Sequence, residues 1–209
     1  MDPRQARELI FSGTLPPGTT VEGSLYLERC TSLQSLPNDL KVGGWLNLRG
    51  CTSLQSLPDG LKVEGSLYLE RCTSLQSLPN DLKVGESLNL FGCTSIQSLP
   101  EGLKVGGWLS LWGCTSLQSL PNDLKVGGGL SLFGCTSIQS LPDGLKVGAS
   151  LDLFGCTSIQ LPYGIPEGVK GKVWVNEEVL RNNRDYLLTM VNTNFHDMEV
   201  YKNILQALP

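Results

Sequence analysis

Cys30, Cys51, Cys72, Cys93, Cys114, Cys135 and Cys156 stand 21 residues apart, and the chain has no other cysteine. A fixed period of about 20–50 residues is the signature of a solenoid, in which each repeat buries its apolar side against its neighbours. Around each cysteine the frame is V-x-x-x-L-x-L-x-x-C-T-S-L/I-Q-S-L-P-x-x-L-K. Positions that return unchanged build the coil. Positions that vary are free for another purpose.

An odd number of cysteines leaves one unpaired in any intramolecular disulfide scheme. Stacked coils also place these side chains in one inward column with parallel Cα–Cβ vectors, which is poor geometry for bridging. No Cys-x-x-Cys pair occurs and His196, the one histidine, lies outside the repeats, so no metal and no cofactor is indicated. The expectation is a column of buried free thiols, and with it a cytoplasmic or otherwise reducing compartment. The net charge of -4 over 209 residues gives no footprint for nucleic acid. No run approaches the ~18 apolar residues of a membrane span. Met1-Asp2-Pro3-Arg4 lacks the basic-then-apolar layout of a secretory signal.

Three regions follow. Residues 1–20 are expected to form an N-terminal helical cap and a partial repeat, with Asp2 and Pro3 starting a helix that carries Ala6, Leu9 and Ile10. Residues 21–161 hold seven coils, beginning at Val21, Val42, Val63, Val84, Val105, Val126 and Val147. Segments such as Ser24 to Glu28 alternate outward and inward and read as one strand per coil. The Leu-Pro of each unit cannot sit inside a ladder, because proline has no amide donor, so it belongs to an extended return on the opposite side. Residues 162–209 are expected to supply a last strand at Val173 to Val175 and a helical hairpin cap. Its register is open, since either Leu161-Pro162 or Ile165-Pro166 can be aligned with the return. Asn176 is a candidate cap for a helix with Val179, Leu180, Leu187 and Val191, followed by one with Val200, Tyr201, Ile204, Leu205 and Leu208.

The string Leu25-x-Leu27-x-x-Cys30-x-x-Leu33-x-x-Leu36-Pro37 resembles the leucine-rich repeat, with cysteine where many copies carry asparagine. It is similar to bacterial leucine-rich repeats, including those of effector proteins delivered into host cells, and to those of plant immune receptors. The resemblance implies a repeat solenoid: a right-handed coil with a parallel β-sheet on the concave face, an extended or turn-like convex side, and helical caps at the ends. It also implies that partners bind to the concave face, and that the cysteine packs under the turn as a weak donor to backbone carbonyls. The ubiquitin-ligase domain of some such effectors is not carried over, because no cysteine follows Cys156.

The variable strand positions are where the coils differ. Nine of the fourteen aromatic residues (four Trp, five Tyr, five Phe) lie there: Tyr26, Trp45, Tyr68, Phe91, Trp108, Trp112, Phe133, Phe154 and Trp174. Alternation points them away from the core on one shared face. That face is graded. Its N-terminal part carries Glu28, Arg49 and Glu70, and its C-terminal part presents Phe91, Trp112, Phe133 and Phe154 in adjacent strands. Polar Asn47, Asn89 and Asp152 stand between the leucines. Aromatic residues suit strands for their own sake. An exposed apolar patch enriched in aromatics and arginine is also the composition of an interaction site.

Other columns point to less. The lysines Lys41, Lys62, Lys83, Lys104, Lys125 and Lys146 each follow an acid within three residues, so the two columns are expected to neutralise one another. The Thr-Ser column from Thr31-Ser32 onward could form a hydroxyl ladder of the ice-binding kind, or more simply bond backbone groups in the turns. Neither a Gly-rich phosphate loop nor a carboxylate pair appears, so no enzyme is expected. The sequence therefore leads to a non-catalytic recognition module for a protein or peptide. Carbohydrate binding and a self-assembling structural solenoid, with self-association through the same face, stand as alternatives.

Overall fold

The computed structural model describes residues 1–161 and 165–183. Along this length the chain winds as a parallel β-solenoid with two hydrogen-bonded sheets. One sheet has eight strands, from Leu25–Tyr26 and Leu46–Asn47 through Leu151–Asp152 to Val173–Trp174. The other has seven, from Thr20–Val21 and Lys41–Val42 to Lys146–Val147. Neighbouring strands come from successive coils, with Leu25 opposite Leu46 and Val42 opposite Val63.

The second sheet corrects the expectation of one strand per coil. Each Lys-Val pair alternates in and out, and the valine is at most 5% exposed. A β-branched residue with one face buried is well suited to a strand. Two residues are too few for periodicity to reveal, and the short turn beginning at Gly43 or its equivalent folds this strand sharply against the leucine strand. On the return side a third, sparser ladder forms, in which Gln76 N donates to Gln55 O at 3.0 Å and Gln118 N to Gln97 O at 3.1 Å. The prolines sit in the corner after it and accept there, as in Leu82 N to Pro79 O at 3.2 Å, so no ladder position lacks a donor.

The core is one stack running the length of the solenoid. Leu25, Leu46, Leu67, Leu88, Leu109 and Leu151 are fully buried, as are Leu27 and its equivalents. Burying a leucine side chain contributes roughly 1.5–3 kcal/mol, so each coil adds a similar increment to its neighbours.

Helix α1 (Pro3–Phe11) lies over the Leu25–Tyr26 strand and buries Ala6 and Ile10. The Asp2 carboxylate accepts from Arg4 N and Gln5 N, and Pro3 occupies the first turn, where its missing amide costs nothing. Met1 continues the seven-stranded sheet: its ammonium donates to Thr20 O, and Glu22 N donates to Met1 O. At the other end Leu151 pairs with Val173 and Val147 bridges to Val169, a step of 22 positions against 21 elsewhere. This fixes the register left open between the two proline alignments and differs from both. Helix α2 (Glu177–Asn182) begins at Asn176, whose side chain accepts from Val179 N. The expected positions Pro162, Leu187, Val191, His196, Val200, Tyr201, Ile204, Leu205 and Leu208 lie outside the described residues.

Candidate interaction face

The outward side chains of the eight-stranded sheet form three columns. The first runs through Ser24, Trp45, Ser66, Ser87, Trp108, Gly129 and Ser150. The second passes through Tyr26, Asn47, Tyr68, Asn89, Ser110, Ser131, Asp152 and Trp174. The third holds Glu28, Arg49, Glu70, Phe91, Trp112, Phe133 and Phe154. Each residue is brought beside its equivalents by the parallel register, in which Tyr26 faces Asn47 and Asp152 faces Trp174.

The third column carries a continuous row of rings. Phe91 and Trp112 meet edge to face at 5.2 Å, Trp112 and Phe133 are tilted at 4.7 Å, and Phe133 and Phe154 stack at 5.7 Å with planes 7° apart. These are attractive geometries for aromatic pairs. The Arg71 guanidinium lies 5.9 Å from the Phe91 ring and closes the N-terminal end of the row. Trp112 and Phe154 remain nearly half exposed, while Phe91 and Phe133 are half-buried.

Trp45 and Trp108 occupy equivalent positions but differ in their bonds. Trp45 packs edge-on to Tyr68 at 6.2 Å, and its Nε1 donates to Glu86 Oε2 at 3.2 Å. Glu86 also accepts from Ser66 Oγ at 2.9 Å, so Trp45 is tied down across two coils. The residue in the corresponding place for Trp108 is Ala149, which cannot accept. Trp108 instead lies over Gly129, where any Cβ would come within 2.3 Å of its ring. It is 56% exposed, and Trp174 is 54% exposed in the last strand. Sequence reasoning missed Glu86 and Gly129. Both were visible as substitutions in otherwise regular columns, Glu86 in the Gly-Gly corner and Gly129 after a tryptophan.

The polar candidates are engaged locally. Asn47 Oδ1 accepts from Arg49 N, Asn89 Oδ1 from Phe91 N, and Asp152 Oδ1 from Phe154 N, at 3.1, 3.0 and 3.0 Å. Asn89 also donates to Glu70 Oε1 at 2.9 Å, while Glu70 Oε2 is buried without a partner. Glu28 and Arg49 are exposed, and the sheet places Glu28, Arg49 and Glu70 in consecutive strands.

All seven thiols are free. Six are fully buried, and each donates to a leucine carbonyl of the preceding coil, for example Cys51 to Leu27 O and Cys114 to Leu90 O. Burial pushes their acidity down: Cys51 titrates near 11, and Cys72, Cys93, Cys135 and Cys156 near 12. Cys114 is raised further for the same reason. A thiol in that range is not a nucleophile at neutral pH. Cys30 is only half-buried, because the first coil has no strand before it.

The outer columns make few side-chain bonds. Among the described residues no lysine of the column lies within 4.0 Å of a carboxylate. Asp81 and Asp123 instead accept from Gly60 N and Gly102 N of the preceding coil, because these left-handed glycines turn their amides toward the next turn. Of the Thr-Ser column, only Ser95 Oγ bonds a main-chain carbonyl, that of Thr73 at 2.6 Å, and most of its threonines stay exposed. Among the described residues no group of three or more His, Cys, Asp or Glu could hold a metal ion, and no helix is long and apolar enough to cross a membrane.

Comparison with protein-family models, with curated proteins and with solved structures finds no match in any of the three.

Proposed function

We propose that this chain is a non-catalytic recognition module that binds a protein or peptide through the outward face of its eight-stranded sheet. The supporting observation is the unbroken row Phe91, Trp112, Phe133 and Phe154, held at the solvent boundary by a rigid ladder. With Trp108 and Trp174 it makes an apolar surface on the order of several hundred Å², large enough to mark an interaction site. A preorganised aromatic surface loses little side-chain entropy on binding, which is why such residues serve as anchors.

The L-x-L-x-x-C-x-x-L-x-x-L-P frame supports a leucine-rich-repeat module of the bacterial, effector-like type, with this face as its concave side. A column of unoxidised thiols fits work in a reducing, cytoplasmic setting. Carbohydrate binding is less favoured, because it needs free polar groups beside the rings to bond sugar hydroxyls. Asn47, Asn89 and Asp152 already spend their oxygens on the backbone.

The test is affinity capture with the intact chain and with the combined Phe91→Ser, Trp112→Ser, Phe133→Ser variant, both checked for cooperative unfolding. A protein or peptide retained by the intact chain and lost by the variant supports the reading. Undiminished capture by the variant would overturn it.

A further inference from the structure

We infer that the coil bearing Trp108, Ser110 and Trp112 receives a proline-rich segment in the polyproline II conformation, an inference that rests on the recognition reading above and names its partner. These three side chains stand side by side across one strand. The two tryptophans flank the two-residue strand Leu109–Ser110, with Ser110 the one outward residue between them. Their two side chains stand on either side of Ser110.

The groups left free on this part of the face define what can enter. Main-chain amides of Phe91 and Phe154 are taken by Asn89 and Asp152, and the Ser131 hydroxyl is shared between Phe133 N and Asp152. At the Trp108 coil itself the Ser110 hydroxyl and the Trp112 main-chain amide have no partner among the described residues, so this floor offers one hydroxyl that can accept beside N–H groups that can only donate. The indole N–H groups of Trp108 and Trp112 likewise have no acceptor among the described residues, whereas that of Trp45 is committed to Glu86. A fitting segment is poor in N–H donors, rich in carbonyl acceptors, and apolar. Proline supplies all three properties, since its nitrogen carries no hydrogen.

Spacing and charge agree with this occupant. Strands about 4.8 Å apart place every second ring of the row about 9.6 Å from the last. A polyproline II turn of three residues advances about 9.3 Å. Prolines at every third position would thus meet Phe91 and Phe133, or Trp112 and Phe154, in register. From the strand of Leu88–Asn89 to that of Leu151–Asp152, Asp152 is the one charged side chain in the three columns, so the face suits a neutral or mildly basic segment. Aromatic-lined grooves of this kind gain affinity because the polyproline II helix is preformed.

The test titrates the full chain with an acetylated, amidated decaproline and with a Gly-Ser peptide of the same length, followed by tryptophan fluorescence and calorimetry. Decaproline is expected to bind saturably and the Gly-Ser peptide not to. Trp108→Phe, which keeps a ring and removes the N–H, is expected to weaken binding roughly five- to tenfold, while Phe11→Ala, at the C-terminal end of α1, leaves it unchanged. Thermal unfolding of each variant separates lost binding from lost structure. Equal binding of both peptides, or no effect of Trp108→Phe, overturns the inference. If decaproline does not bind but a captured partner is still lost with the triple serine variant, the partner chemistry is wrong and the recognition face stands. If that variant also keeps its partner, both fail.

Discussion

The thiol of Cys93 donates to the main-chain carbonyl of Leu69, 3.0 Å away in the preceding coil. In an uninterrupted parallel ladder that carbonyl would take the amide of Phe91, but Asn89 Oδ1 has claimed it. The same exchange joins Cys51 with Leu27 and Asn47, and Cys156 with Leu132 and Asp152. The cysteine thus ends the strand by substituting for a peptide donor in a fully dry place. Cys93→Ala leaves a buried carbonyl unpaired and should cost about 1–3 kcal/mol. Cys30→Ala should cost under about 0.5 kcal/mol, since that thiol only approaches Glu28 O of its own coil at 3.7 Å. Urea unfolding of the two variants checks this, and equal losses would contradict it.

Alkaline pH should weaken the fold through the same column. An unfolded cysteine loses its proton near pH 8.5, whereas burial holds Cys51 protonated to about 11 and Cys72, Cys93, Cys135 and Cys156 to about 12. Between those values the folded state binds more protons than the unfolded one, so stability falls as pH rises. It is constant below about pH 8, and each buried thiol then removes up to about 1.4 kcal/mol per pH unit. Urea midpoints at pH 7, 8, 9 and 10 would show the decline. A flat profile to pH 10 would mean the thiols are not buried as described. At pH 7.5 a thiol-reactive dye should label Cys30 alone until the chain unfolds.

Two glycines separate the frame from the face. A Cβ on Gly127 would fall 2.1 Å from the Gly106 carbonyl oxygen, which belongs to the backbone and cannot yield. The nearest atoms to a Cβ on Gly129 belong to the Trp108 ring, which can swing away. Gly127→Ala should therefore destabilise by more than about 2 kcal/mol, and Gly129→Ala by less than about 1 kcal/mol. Gly129→Ala should also shift the tryptophan emission to longer wavelength as Trp108 lifts into solvent. Melting curves and emission spectra of the pair decide the matter. A similar loss of stability in both would show that Trp108 is held more firmly than its exposure implies.

What the sequence made legible follows from what repeats. The Leu25 and Cys30 columns recur at one spacing, so their burial and the solenoid could be read directly. The ring row could be placed as well, because strand alternation and a 21-residue register fix which side chains are neighbours. The Lys-Val strand escaped notice because two residues carry no period. The opposite fates of Trp45 and Trp108 depend on Glu86 and Gly129, which act from another coil. The bond made by Asp81 was hidden for a related reason: its place two residues before Lys83 says nothing about the Gly60 amide in the coil before.

Asn183 ties helix α2 to the return segment of the Cys156 coil. It is 5% exposed, accepts from Leu161 N at 2.6 Å, and donates to Ile159 O at 3.1 Å and to Val179 O at 2.9 Å. One buried amide side chain thereby satisfies a main-chain donor and two main-chain acceptors. Its neighbour Asn182 is exposed and makes a single bond, to Thr157 O at 3.0 Å. Asn183→Ala should cost about 1–3 kcal/mol, and Asn182→Ala about 0.5–1.5 kcal/mol. Asn183→Asp should be at least as damaging as the alanine, because it keeps the acceptor for Leu161 but turns an oxygen toward the Ile159 carbonyl. In a solenoid the loss should be felt first in the terminal coil, since each repeat contacts only its neighbours. Hydrogen exchange should then quicken at Leu161 and Gln160 while Leu46 and Leu67 stay protected. Uniform acceleration along the whole chain would show instead that the coils unfold as one unit.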